Sequence, residues 1–317
     1  IFIPFSALRF SPKEVETWGI NFTRYHSINR EESSWNPISP DLENIVTQAG
    51  KLKGLSDITP PTRLFFSPYI SSYADHIGAS EMNESTWITS LAGGMDVKYG
   101  INEAYTLDMT LIPDFGQVVT DNVVLNLSPF EVFFQENRPF FNEGTELFEK
   151  TGHFYSRRVG FNLVGRNNLS SQLNSNEIIT NNPSTAPLIN ASKISGRGKK
   201  GLGIGFFNAI SSEQFATARD TVNSNERNIL TSALSNYNVF IIDQNLKNNS
   251  SVTLTNTSVW RSGYTYDANL TALATKLNTQ NNNYFVSGNV ALSQKYNRNN
   301  NNFGHALNIS SGKQKGN

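Results

Sequence analysis

The feature that most restricts this chain is an alternation of apolar and polar side chains with a period of two residues. It recurs in four segments: 18–23, 105–111, 201–206 and 284–291. Successive side chains of a β-strand point to opposite faces of a sheet, so the pattern predicts strands with one apolar and one polar face. Turn-rich connections between such segments predict antiparallel hairpins. Helical periodicity is confined to two short stretches, near 127–134 and 211–218. The sequence therefore predicts an all-β, antiparallel protein.

The alternation fits a soluble sandwich or propeller, whose apolar face packs a core, and also an outer-membrane barrel, whose apolar face meets lipid. Segments 88–100 and 283–296 reach the length of about 9 to 11 residues that a tilted transmembrane strand needs. Tyrosines near strand ends are typical of interface girdles; they are Tyr99, Tyr105, Tyr284 and Tyr296. A negative mean hydropathy of −0.38 fits a barrel too, because its strands are apolar on one face only. These observations favour the transmembrane barrel.

Composition removes several classes of protein. The 26 basic and 26 acidic residues balance, which argues against a nucleic-acid partner. The absence of cysteine excludes disulfides, thiolate nucleophiles and Cys-ligated zinc. About a dozen strands are expected without a closing signal, and both ends of the chain resemble interrupted strands. We therefore expect a partial barrel, part of a longer protein whose strands number in the high teens or more.

One segment, 113–144, gathers carboxylates and an arginine among six phenylalanines and three prolines. About 40 residues separate the strand that ends near 112 from the next expected strand at 153–161. That is long for a turn and aromatic for a disordered loop. We predict that 113–152 folds into the barrel or caps it, as a plug. The predicted lumen or plug polar network consists of Asp114, Asp121, Glu131, Glu136, Arg138, Glu143, Arg157 and Arg158.

Catalytic and metal interpretations of this segment are weaker. Asp-Phe-Gly at 114–116 lacks the other elements of a kinase site. Arg138 beside Glu136 would lower the carboxyl pKa, which suits an ion pair better than the general acid of a glycosidase. Asp114, Asp121 and Glu143 are weak candidates for calcium ligands, because they lack the dense Asp pattern of a calcium loop. We expect no catalytic residue and no cofactor, with Ca²⁺ the minority alternative.

Glycine and basic residues mark a further hairpin. Arg197-Gly-Lys-Lys predicts a basic turn near lipid headgroups, and its spacing is not that of a P-loop. Gly201, Gly203 and Gly205 are then expected within a strand, where they would leave space on the lumen face. For this reason they resemble a dinucleotide-binding glycine set only superficially.

Long motifs resemble a known family. Three of them, GGMDVKYGINEAYTLDMTLIPDFGQV, NLSPFEVFFQENRPFFNEG and FYSRRVG, lie between residues 88 and 160. The others are WGINFTRY, GKLKGLSDITPPTRLFFSPYI and INASKISGRGKKGLGIGFFNAIS. Together they resemble the DUF5916 outer-membrane proteins of Bacteroidota. The resemblance implies an N-terminal domain similar to carbohydrate-binding module family 9, followed by a large β-barrel. It makes 1–12 the terminal strand of that domain and 13–317 the incomplete barrel.

The resemblance implies a place in the outer membrane of a Gram-negative bacterium, and it supplies no reaction. We expect a non-enzymatic channel, or a scaffold or accessory subunit of an envelope complex for transport, secretion or protein insertion. The expected partners are outer-membrane lipid, lipopolysaccharide and other envelope proteins. The alternatives are a glycan-binding or glycan-processing outer-membrane protein and a soluble β-protein.

Overall fold

The structure is a computed structural model. It describes residues 2–5, 8, 10, 15–39, 45–58, 63–77, 86–113, 125, 132–161, 163–263, 265–297 and 300–314. The chain forms two compact units, one within residues 1–63 and one from Leu64 to Gln314. The domain boundary drawn at residue 12 from the sequence stays a prediction. The described residues among the first ten are not in a strand, and their kinship to a family 9-like domain stays a prediction.

The first unit contains two short antiparallel pairs. β1 (Val15–Ile20) pairs with β4 (Gly50–Ser56), and β2 (Thr23–His26) forms a hairpin with β3 (Glu31–Ser34). A 3₁₀ turn, Ile45–Gln48, precedes β4.

The second unit is built on a ten-stranded antiparallel sheet in the order β17-β16-β15-β14-β13-β10-β9-β7-β6-β5. Its strands are β5 (Leu64–Ile77), β6 (Thr86–Gly100), β7 (Tyr105–Leu111), β9 (Leu188–Arg197), β10 (Leu202–Ser211), β13 (Ser235–Asn245), β14 (Ser251–Arg261), β15 (Asp267–Asn278), β16 (Tyr284–Tyr296) and β17 (Asn301–Lys313). Among the described residues the edge strands β5 and β17 are not paired with each other, so the sheet is open. The all-β, antiparallel prediction is confirmed.

A separate three-stranded sheet joins β8 (Glu177–Asn181), β11 (Gln214–Asp220) and β12 (Glu226–Ser232). Ala216 and Ala218 of β11 are fully buried against Leu169 and Ile229. The helix expected at 211–218 is therefore wrong. Ala216 and Ala218 are two residues apart, so both point into this small core from an extended strand.

The segment between β7 and β8 contains only short helical pieces in its described part. They are α1 (Pro139–Asn142), α2 (Glu146–Glu149) and the 3₁₀ turns Ser156–Arg158 and Arg166–Gln172. The strand expected at 153–161 is wrong. Its backbone carbonyls at Ser156 and Val159 bind a side chain, as described below, and Gly160 has a φ of +79° that a strand would not adopt. The helix expected near 127–134 lies mostly outside the described residues.

The two faces of the large sheet differ in chemistry. On the outer face, as we name it, apolar side chains lie opposite one another, as in the pairs Phe206–Phe240 and Ile204–Ile242. Phe206, Phe240 and Ile242 are exposed, Ile204 is half-buried, and the exposed residues of this face include Leu64, Phe66, Ile70, Leu91, Tyr99, Leu202, Leu254, Leu273, Val286, Val290, Leu292, Leu307 and Ile309. On the opposite, inner face the central strands carry buried polar and charged residues, such as Lys193 and Asp243, beside buried apolar ones, such as Phe207 and Ile241. No described helix is long and apolar enough to cross a bilayer.

Candidate functional site on the inner face of the sheet

Residues 132–164, the inner segment, pack on the inner face of the central strands. Phe141, Phe148 and Val159 of this segment are buried in one apolar cluster with strand residues. The strand residues are Leu188, Ala191, Phe207, Ala209, Val239 and Ile241. Phe207 is 2% exposed, and its ring lies 5.9 Å from that of Phe141 and 5.1 Å from that of Phe154. The inner segment therefore supplies the apolar partner that this part of the sheet lacks.

Two glycines of β10 make room for helix α2. A Cβ atom added to Gly203 would lie 2.8 Å from Leu147 Cδ2, and one added to Gly205 would lie 3.2 Å from Phe148 Cζ. Both distances are shorter than ordinary carbon contacts. The space that the sequence predicts beside these glycines is on the inner face, and α2 occupies it.

Glu136 and Arg138 form the polar centre of the inner segment. Arg138 is 2% exposed, and its Nε and Nη2 donate to Oε1 and Oε2 of Glu136 at 2.9 and 2.8 Å. The same guanidinium donates to the carbonyls of Val159 at 3.1 Å and Ser156 at 2.7 Å. Its charge also lies 4.0 Å from the ring centroid of Phe141. Arg138 thus connects its own stretch of chain with the stretch 156–159, about 20 residues later, and neither stretch is a β-strand.

The electrostatics of this pair favour the ionised forms. Burial raises the pKa of the Glu136 carboxyl, but hydrogen bonds from Arg138 and from the Ser156 hydroxyl outweigh burial, and the net pKa lies below its usual value. The Ser156 Oγ donates to Oε2 at 2.5 Å. A carboxyl whose pKa is lowered cannot serve as a general acid near neutral pH. Glu136 therefore acts here as the anionic half of a structural ion pair.

A second ion cluster anchors the inner segment to β13. Asp243 is fully buried, and its Oδ2 lies 2.7 Å from Lys150 Nζ and 2.6 Å from Arg197 Nη2. Thr253 donates to its other oxygen at 2.6 Å. Glu146 adds longer pairs, 3.8 Å to Lys150 and 3.4 Å to Arg197. The buried carboxylate is thus matched by one cation from the inner segment and one from the sheet.

A third cluster joins the segment to β6, β7 and β9. Lys98 forms ion pairs with Glu143 and, at 3.7 Å, with Asp108. Lys193, 3% exposed, donates to the carbonyls of Phe140 and Glu143, and its charge lies 4.5 Å from the Phe140 ring centroid.

The residues of the predicted polar network do not form one cluster in the described part of the chain, but lie in several separate places. Asp114, Asp121 and Glu131 lie outside the described residues. Glu136 pairs with Arg138, and Arg157 lies 3.9 Å from Glu136 while donating to the carbonyl of Gln135. Glu143 pairs with Lys98, and Arg158 lies 5.9 Å from the ring of Tyr155.

Of the weak calcium candidates, only Glu143 is described, and its carboxylate faces a lysine. Within the described ranges no three His, Asp or Glu side chains lie close enough to hold a metal ion.

Sequence reasoning missed Lys98, Asp108, Lys150, Lys193, Arg197 and Asp243. Four of these six, Lys98, Asp108, Lys193 and Asp243, stand in strand interiors, at alternate positions opposite the apolar face. The sequence did contain a signal for these four residues. A charged residue that alternates with apolar ones in a long strand points to the face opposite the apolar one. Arg197 corrects a specific expectation, because its side chain turns inward to Asp243 instead of marking the basic turn at headgroups.

A cleft of about 790 Å³ remains between the inner segment and the inner face of β14 to β17. Its walls include His153, Tyr155 and Arg158 of the segment, and Arg261 and Lys295 of the sheet. It lies near the end of the sheet where β14 joins β15 and β16 joins β17.

Comparison with known proteins gives one result. Residues 60–317 match the family described as Domain of unknown function (DUF5916). No curated protein and no solved structure matches. Since the match covers well over half of the sequence, the chain belongs to the DUF5916 family.

Proposed function

We propose that this chain is part of a non-enzymatic β-barrel in the outer membrane of a Gram-negative bacterium, serving as a scaffold or accessory subunit of an envelope complex. The observation that carries the proposal is the polarity of the large sheet. Its outer face exposes many apolar side chains, with a polar group at Asn208, Asn238 and Asn256, while its inner face holds buried ion pairs beside an apolar cluster. A soluble sheet has the opposite arrangement, since water favours charge outside and apolar side chains within.

The exposed apolar surface is too extensive for a monomer in water. Phe240 is 42% exposed, Leu307 65% and Ile309 70%, and such residues continue from β5 to β17. Soluble monomers rarely expose contiguous apolar patches beyond a few hundred Å². Lipid chains would cover this face, so that its apolar side chains would not be exposed to water.

Aromatic residues stand at both ends of the long strands on the outer face. On β6, Trp87 and Tyr99 are twelve residues apart, and on β16 Tyr284 and Tyr296 have the same spacing. Twelve residues of strand span roughly 40 Å, or about 30 Å along the membrane normal at a typical barrel tilt. That separation suits two interfacial aromatic girdles.

The connections suggest an orientation. Four hairpin connections at one end have four or five residues each: 101–104, 198–201, 246–250 and 279–283. The opposite end carries the three longest connections, 78–85, 112–187 and 212–234, together with two short ones, 262–266 and 297–300. Outer-membrane barrels place short turns in the periplasm and long loops outside. We therefore assign the short-turn end to the periplasm and the start of the inner segment to the cell exterior.

The packed inner segment favours a scaffold over an open channel. It covers the inner face of the central strands through an apolar cluster and two ion clusters. Closure would pair the edge strands β5 and β17 with each other or with further strands. In such a barrel the segment would obstruct the lumen.

Electrophoretic mobility and extraction test the membrane assignment. The natural protein should require detergent for extraction, and the folded form should migrate differently before and after boiling. Extraction into buffer without detergent, with no change of mobility on heating, would refute the barrel.

Conductance in planar bilayers tests the obstruction. The purified natural protein should give small or no steady currents. Large steady currents from the protein with its inner segment intact would contradict the scaffold role and favour a channel.

A further inference from the structure

The outer face has one row of polar side chains. The row crosses six neighbouring strands of the sheet, β9, β10, β13, β14, β15 and β16. Its members lie directly opposite one another from strand to strand, in the order Ser192, Asn208, Asn238, Ser258, Asn269 and Gln294. Met109 on β7 and Phe303 on β17 end this polar row at its two sides. Six uncharged polar residues therefore cross the face that exposes many of the apolar side chains of the sheet.

Amide groups of the polar row are hydrogen-bonded from strand to strand. Asn208 Nδ2 donates to Asn238 Oδ1 at 2.8 Å, and Asn269 Nδ2 donates to Gln294 Oε1 at 3.1 Å. Asn256, on the same face of β14, donates from its Nδ2 to Asn269 Oδ1 at 2.9 Å. All five side chains belong to half-buried residues. Because an amide has two N–H donors and an oxygen with two lone pairs, these three bonds use only part of the capacity of the five amides.

Lipid is a poor cover for the polar row. The strands of an outer-membrane barrel tilt by about 35–45°, so a row that runs straight across them is inclined to the membrane plane. Six strands at a spacing of about 4.8 Å make a row about 24 Å long, which at this tilt spans about 15 Å of depth. Only one end of the row can then lie among headgroups, and hydrocarbon offers the rest no hydrogen-bond partner. A protein surface with donors and acceptors would be the better cover.

The polar row is complementary to itself. None of its six members is charged, and each amide both donates and accepts, so the same surface on a second copy offers matching groups. A two-fold symmetric dimer brings one patch of each copy onto the same patch of the other. In two copies inserted the same way round, the axis follows the membrane normal and the inclined rows cross at it. The amides near the middle, Asn238, Asn256 and Asn269, would therefore meet their counterparts.

We propose that the polar row is the contact surface of a symmetric dimer of this chain. The central amides form hydrogen bonds between the two copies, and apolar neighbours on the outer face, such as Phe240, pack around them. Polar side chains associate membrane segments in this way because lipid offers them no alternative partner. The inference rests on the lipid-facing outer face proposed above, and it adds the partner that covers part of that face.

Sedimentation equilibrium of the natural protein in a density-matched neutral detergent tests the dimer. We expect a reversible equilibrium between monomer and dimer. Asn238→Leu combined with Asn269→Leu should raise the dissociation constant about tenfold, through the loss of hydrogen bonds between the copies. Leucine suits a lipid-facing position, so this double variant should keep the heat-shifted mobility of the natural protein.

Thr275→Leu is the matched control for the double variant. Thr275 is a polar residue on the same face of β15, six residues from Asn269 and so about 20 Å from the polar row. Its replacement should leave the dissociation constant unchanged. Equal dissociation constants for the double variant and for Thr275→Leu would overturn the proposal.

Cysteine cross-linking locates the contact, because this chain has no cysteine of its own. Asn256→Cys should give a disulfide-linked dimer when native membranes are oxidised with copper phenanthroline. Leu91→Cys, on the outer face of β6 and five strands away, should not. Equal dimer yields from both variants, or cross-linking of Asn256→Cys to a protein of another mass, would overturn a second copy as the partner.

The state of the natural protein separates this inference from the membrane assignment. A protein that keeps its heat-shifted mobility but stays monomeric at every concentration would overturn the dimer alone. A protein that extracts into buffer without detergent and shows no heat shift would refute the barrel, and the dimer with it.

Discussion

Single residues on the inner face illustrate how charge can be buried without a net penalty. Arg138 is 2% exposed, yet two carboxylate oxygens, two carbonyls and two aromatic rings surround its guanidinium. Asp243 is equally enclosed by Lys150, Arg197 and Thr253. Buried charges are costly alone and tolerable when every donor and acceptor is matched. Removing one partner should therefore cost more than removing both.

Arg138→Met tests this point. This substitution leaves the Glu136 carboxylate in the inner segment without its cationic partner. We therefore expect a loss of about 3–5 kcal/mol in the stability of that segment. The double variant Arg138→Met with Glu136→Gln should recover part of the loss. Protease resistance and hydrogen exchange of residues 132–164 give the measurement.

The control for this prediction is Arg166→Met, at an exposed arginine, which should stay within about 0.5 kcal/mol of the natural protein. A double variant no more stable than Arg138→Met would show that the two residues are not coupled.

Glu177 offers a prediction of pH dependence. Both carboxyl oxygens lie 2.7 Å from Arg227 nitrogens, and these hydrogen bonds, together with one from the Asn174 backbone, lower the pKa of Glu177 from 4.5 to about 2. Since the folded pKa is below the unfolded one, the pair stabilises the small sheet above pH 4.5. This contribution should be lost as the pH falls towards 2.

Carboxyl ¹³C shifts of Glu177 should give a titration midpoint near 2, and Arg227→Gln should move it towards 4.5. A natural-protein midpoint near 4.5 would contradict the ion pair.

Elements of the fold are matched by shape as well as by charge. Strand β10 alternates outward Leu202, Ile204 and Phe206 with inward Gly203 and Gly205. The two glycines form a shallow recess that receives Leu147 and Phe148 of α2. A four-residue helix has little stability of its own, so its position depends on this contact.

Gly205→Leu should displace α2 from the sheet. The added side chain meets the Phe148 ring, and overpacking of this kind costs about 1–3 kcal/mol. We expect cleavage between 143 and 152 at lower protease concentration than in the natural protein.

Gly288→Leu is the matched control for Gly205→Leu. Gly288 is also in a strand, but a Cβ atom there has ordinary contacts of 3.5 Å or more. Equal protease sensitivity of both variants would show that the recess does not hold α2.

The whole molecule combines a stable inner face with an outer face that has no protein partner among the described residues. In the proposed barrel the outer face would contact lipid and the inner face would line the interior of the barrel. The cost of a charge on the outer face should then depend on its depth along a strand. Strand β13 provides two positions for comparison, because Phe240 and Gln244 share the outer face four residues apart.

Phe240→Arg should lower the folded fraction strongly, by about 2–4 kcal/mol if the residue lies near the bilayer centre. Gln244→Arg, near the short turn at 246–250, should cost about 1 kcal/mol or less. The folded fraction would be read from heat-shifted mobility after refolding into lipid vesicles. A Phe240→Arg variant that folds as well as Gln244→Arg, or becomes soluble without lipid, would contradict a lipid-facing surface.

The sequence by itself indicated several strands of the large sheet, because the alternation of side chains is a local property. Segments 105–111 and 202–206 show it plainly, and both are strands. It also indicated that the region around Glu136 and Arg138 carries a polar network, since these two residues are close in the chain. Where local pattern was weak, at 153–161 and 211–218, the expectations were wrong.

Only the tertiary structure decided which distant charges meet and where a cleft remains. Asp243 lies 93 residues from Lys150, and nothing local in either segment specifies the other. The cleft at Arg261 and Lys295 exists because the inner segment packs on the central strands and leaves the inner face of β14 to β17 partly uncovered. The physical reason is that ion pairs and cavities depend on the register and stacking of elements far apart in sequence, whereas strand periodicity is a property of neighbouring residues.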